Sequence, residues 1–80
     1  MIIKPLNTES AATGAAITAA RVVRLVNTHA TDASVITISN TASASMTLLA
    51  QSSEVVEKDI GAAITVSGGT VVATPVAFTN

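Results

Sequence analysis

Ala20-Arg21-Val22-Val23-Arg24-Leu25-Val26-Asn27 is dense in β-branched residues and alternates with a period of two. In an extended chain Val23 and Leu25 fall on one side, and Val22 and Val26 fall on the other. Apolar residues on both sides predict a strand covered on both faces.

The same alternation continues downstream. A polar turn at residues 28–33, containing His29 and Asp32, precedes S-V-I-T-I-S at 34–39, where Ile36 and Ile38 share a face. Residues 40–44 read as a turn. Residues 45–50 then place Met46, Leu48 and Ala50 on one side, and Gln51-Ser52-Ser53 interrupts them. Residues 54–58 form another short strand in which Glu54, Val56 and Lys58 alternate with Val55 and Glu57. After a loop at 59–61, residues 62–67 pair Ile64 with Val66. Gly68-Gly69 separates that run from residues 70–78. Two glycines that adopt positive φ freely between β-branched segments predict a terminal hairpin. Pro75 lacks a ladder donor, so the last arm should lie at a sheet edge or bend there.

Strands about ten residues apart with turns between them predict an all-β fold, a small antiparallel β-sandwich or partly open barrel over residues 20–80. Its core is expected to include Val23, Leu25, Ile36, Ile38, Leu48, Ile64 and Val66. Upstream, residues 7–19 are an alanine, threonine and serine mixture interrupted by Gly14, compatible with a short helix, a strand or an arm. The reading preferred for residues 1–19 is an extended N-terminal arm lying flat along another surface. Residues 1–6 would be its anchoring strand, which makes Ile2, Ile3 and Leu6 interface candidates.

Eighty residues suffice for one small domain whose core is marginal unless something staples or joins it. The absence of cysteine removes a disulfide framework and a thiolate metal site, and is silent about redox compartment. Oligomerisation or docking remains. The chain is 49% hydrophobic and 11% charged, which opposes intrinsic disorder, and its net charge of −1 leaves no footprint for nucleic acid. Arg21 and Arg24 read as a solvated or interface pair and not as a phosphate clamp. No apolar run is long enough to span a membrane, and the start lacks the apolar stretch of a secretory signal, so use without export by that route is expected.

Nothing in the sequence assembles an active site, and an enzyme is not expected. His29 is the sole histidine, and with Asp32 it falls short of a zinc ligand set. Glu54, Glu57 and Asp59 around Lys58 lack the spacing of a calcium loop and read as a charged strand edge that discourages unwanted pairing. No serine lies in G-x-S-x-G, and Gly68-Gly69 belongs to no phosphate-binding motif. Catalytic residues, metal ligands, cofactors and a small-molecule substrate are therefore all expected to be absent. Tyrosine and tryptophan are missing too, so a partner has to be engaged through small apolar side chains and backbone.

Three segments carry a resemblance: Arg21-Val22-Val23-Arg24-Leu25-Val26-Asn27, Glu54-Val55-Val56-Glu57-Lys58-Asp59 and Ala73-Thr74-Pro75-Val76-Ala77-Phe78. Over residues 21–78 the chain resembles small virion structural proteins of tailed phages, notably those infecting marine cyanobacteria. The resemblance implies a β-sandwich opened by the V-R-L-x-N strand and closed by the A-T-P-V-A strand. It also implies a virion location as a capsid decoration or cement protein bound to major capsid subunits in many copies, or else a small neck or tail component. The partners expected are the major capsid protein or another virion protein, and further copies of the chain. Arg21 and Arg24 are the polar interface candidates, Arg24 first. The competing reading is a soluble protein-binding module, such as an inhibitor of a host protein.

Overall fold

Each β-branched segment is a strand in the computed structural model, which describes residues 2–39 and 43–79 and, of Ile2, Phe78 and Thr79, the backbone alone. In chain order the elements are β1 (Ile2–Pro5), β2 (Ser10–Ala11), the single-turn helix α1 (Ala15–Thr18), β3 (Val22–Asn27), β4 (Ser34–Ile38), β5 (Ala44–Leu48), β6 (Ser53–Glu57), β7 (Ile64–Ser67) and β8 (Val71–Thr79). They form two antiparallel sheets. One has the order β1-β8-β3-β6, with β2 also paired to β8, and the other has the order β5-β4-β7.

The sheets face each other as a small sandwich, because one residue in two along each strand is apolar and has to leave water. Val23 and Leu25 of β3 and Val71 and Ala73 of β8 meet Ile36 and Ile38 of β4, Leu48 of β5 and Ile64 of β7. Met46, Val56 and Val66 are half-buried at the margin of this core. The expected core residues are all in it, with Val66 at its margin.

Of the links from β3 onward, only β4 to β5 joins neighbours in one sheet. The expected turn at 40–44 falls in this link, and its residues 40–42 lie outside the described ones. The links β3 to β4, β5 to β6 and β7 to β8 arch from one sheet to the other at a common end, and Asn27 fastens all three. Its Nδ2 donates to the carbonyls of Asp32 and Leu48, at 2.9 and 3.1 Å, while its Oδ1 accepts from the amides of His29 and Thr70, at 3.0 and 3.3 Å. Both donors and both acceptor sites of the amide are thus used, which is what allows a polar side chain to be fully buried there.

Two expectations about the last strands are corrected. Gly68-Gly69 does not turn a hairpin: β7 pairs with β4 and β8 with β3, so the glycines lead the chain across the sandwich. They do adopt positive φ, 79° and 62°, but a Cβ on Gly69 would collide with the Ser34 hydroxyl and the Asn27 amide. The pair is needed for close approach to the arch as much as for the turn.

Nor does Pro75 mark an edge. β8 is interior, with β3 on one side and the N-terminal strands on the other. The Pro75 carbonyl accepts from the Leu6 amide at 2.8 Å. In an antiparallel ladder the N and O of one residue point the same way, so the ring nitrogen also faces the N-terminal side. There residues 6–9 bulge against only residues 74 and 75, between the β1 and β2 registers. The missing donor coincides with the break in its partner strand.

Residues 2–19 are also corrected. The segment begins as a strand, as expected of residues 1–6, but the surface it lies along is that of its own domain. β1 and β2 complete the edge beside β8, Ala12 is buried, and α1 inserts a fully buried Ile17 into the end of the core. The Thr18 hydroxyl and amide both donate to the Gly14 carbonyl, closing the single turn.

Candidate assembly surface

Strand alternation gives each sheet an outer face, and the two faces differ in chemistry. On the three-stranded sheet the outward positions are Val35, Thr37, Ser45, Thr47, Thr65 and Ser67, hydroxyl groups at all but one. On the larger sheet β3 turns Val22, Arg24 and Val26 outward, opposite Glu57, Val55 and Ser53 of β6. On the other side of β3, Val26 stands opposite Val72 and Arg24 opposite Thr74. Ala11 extends this face beyond Val72, and Pro5, opposite Val76, extends it along β1 towards Ile3.

The outer face of the larger sheet is therefore a valine lattice. Val22, Val26, Val55 and Val72 remain half-buried, and Thr74 and Val76 are sunk between their neighbours. The second sheet and Ile17 of α1 pack on the opposite, inner side. Its charged residues are Arg24 and Glu57, and neither takes part in an ion pair among the described residues.

The sequence-predicted interface residues divide over this geometry. Arg24 lies near the centre of the valine face. Ile3 lies at its margin, 39% exposed, where β1 pairs with β8. Arg21 is exposed just before β3, and its carbonyl accepts from the Lys58 amide at 2.7 Å. Leu6 follows β1 at the sheet edge, 57% exposed. The side chain of Ile2 lies outside the described residues. Val55 and Val72 belong to the face but were not singled out in sequence, because their membership depends on which strands neighbour β3.

The charged segment around β6 splits in two. β6 is an edge strand, and Glu54 and Glu57 are exposed on it, as a charged edge requires. Lys58, grouped with them in sequence, is instead buried at 3% exposure. It continues the inward parity of Glu54 and Val56, so its Nζ reaches the Thr18 carbonyl at the C-terminal end of α1, at 2.8 Å. Burial lowers its pKa from the ordinary lysine value, and the Asp59 carboxylate opposes that shift.

His29 is half-exposed and organises its own loop. Its Nδ1 accepts from the amides of Thr31 and Asp32, at 3.2 and 2.9 Å, so the neutral ring carries its proton on Nε2, which faces the Asp32 carboxylate at 3.7 Å. Among the described residues no cavity or cleft opens in the surface, and no three His, Cys, Asp or Glu side chains converge.

No family model matches the chain, and no curated protein or solved structure matches it.

Proposed function

We propose that this chain is a non-catalytic structural protein of a tailed-phage virion, a capsid decoration or cement protein seated between major capsid subunits. The observation that carries the reading is the valine face of the larger sheet, set against the hydroxyl face of the smaller one. A small domain that leaves half-buried valines around a polar centre on one sheet face gains stability when a neighbour covers them, at about 25 cal/mol for each Å² of apolar surface removed from water. A lattice of repeated neighbours supplies such cover by symmetry. The three segments that resemble small virion proteins provide the setting, and two of them contribute Val22, Arg24, Val26, Val55 and Glu57 to this face.

Quantitative mass spectrometry of purified particles tests the reading. The chain is expected at roughly tens to hundreds of copies, as repeated lattice sites require. Arg24→Glu, which reverses the charge at the centre of the face, is expected to lower that occupancy. A few copies per particle would move the chain to the neck or tail. Absence from particles together with a stable free monomer would replace the virion reading with that of a soluble binding module.

A further inference from the structure

We infer that the valine face takes a second copy of this chain, related by a twofold axis, with Arg24 of each copy against Glu57 of the other. The inference rests on the reading of this face as an assembly surface and names what first covers it. Arg24 stands opposite Val55, and Glu57 stands opposite Val22. The four residues therefore occupy the corners of a rectangle, about 4.8 Å across the strands and 6.8 Å along them. The charges lie on one diagonal and the valines on the other.

That pattern is self-complementary. A twofold axis lying in the interface along the valine diagonal stacks Val22 on Val22 and Val55 on Val55 of the second copy. The same operation brings each arginine to within about 3 Å, in the plane of the face, of the other copy's Glu57, an offset its long side chain spans, so the charge pair forms twice. Within one chain neither group is ion-paired among the described residues, although they carry opposite charge on neighbouring strands. The hydroxyl face of the smaller sheet has no charged residue at its outward positions and no comparable complement.

The footprint is modest. Four strands by five residues span about 330 Å² of sheet, small beside the roughly 800 Å² of accessible surface each partner buries in a standard stable complex. Association is therefore weak in dilute solution and is strengthened where copies are held close together.

Sedimentation of the full chain over roughly 10–500 µM tests the inference, a range suited to weak association. The wild type is expected to pass from monomer to dimer with concentration. Arg24→Glu and Glu57→Arg are each expected to raise the dissociation constant by about tenfold or more, by placing like charges together. The double swap R24E/E57R restores opposite charges and is expected to return dimerisation to near the wild-type level. A wild type monomeric throughout, or a double swap no better than either single reversal, would overturn the inference. Circular dichroism establishes that each variant is folded, and Arg24→Gln with Glu57→Gln replaces any reversal that is not. Particle occupancy is read independently: a chain that dimerises but is missing from particles sinks the virion role alone, and one abundant in particles but monomeric in solution sinks the dimer alone.

Discussion

At Asn27 one side chain joins three links that lie far apart in sequence, through carbonyls at 32 and 48 and amides at 29 and 70. Asn27→Asp keeps the shape but replaces two donors by acceptors facing carbonyl oxygens. It is expected to cost about 3 kcal/mol or more, measured by urea unfolding, because a buried group left without partners loses its full solvation. Lys58 offers a second test, in pH. Its folded pKa is lowered, so below the ordinary lysine value of about 10.4 the unfolded chain binds more protons than the folded one. Its contribution to stability is fully present above that value and is lost as pH falls through the folded pKa. The urea midpoint should therefore rise as pH climbs towards the ordinary lysine value, and Lys58→Met, which keeps an apolar stem, should flatten the rise. Tyrosine and cysteine are absent and Lys4 is the other lysine, so few groups can mimic the effect. The same rise in Lys58→Met would exclude Lys58 as its source. Neither role was legible locally: Asn27 reads as the last residue of a strand, and Lys58 shares its charged run with Glu57 and Asp59.

Strands were readable from the sequence wherever alternation was sustained, and their partners much less so. Residues 20–27 and 34–39 contain β3 and β4 with the expected faces, because period-two patterning is a property of each segment alone. The Gly68-Gly69 link is not legible as an arch because positive φ at two glycines permits a hairpin or an arch alike, and the difference lies in β7 pairing with β4 and β8 with β3, which no local pattern states. The packing of residues 7–19 on their own domain is not legible because their apolar content is mostly small, and a single Ile17 gives no period. That segment now yields a test with a sign opposite to the one expected of a dispensable arm. Ile17→Ala is expected to cost about 2–5 kcal/mol, as for a fully buried isoleucine. Deleting residues 1–19 removes that side chain and both strands beside β8, so the remaining chain is expected to lose its cooperative thermal transition. A truncated chain that melts as the full one does would return the segment to the status of an arm.

For the whole molecule, the two-sided apolarity of β3 is the feature that sequence and structure share most directly. One side, Val23 and Leu25, is covered by the chain's own second sheet. The other, Val22 and Val26, joins Val55 and Val72 on a face that the second sheet leaves to the outside. The sequence could reveal that both sides were apolar, but not that only one would be filled from within. That depends on whether the smaller sheet and α1 pack on the same side of β3, which no local pattern states. The most direct test follows valine methyl signals in the presence of a soluble paramagnetic probe, comparing the dilute chain with its assembled form. Assembly is expected to shield the methyls of Val22, Val26, Val55 and Val72, while Val35 on the hydroxyl face stays as accessible as before. Shielding of Val35 with the four valines still bleached by the probe would contradict the assignment of the valine face as the assembly surface.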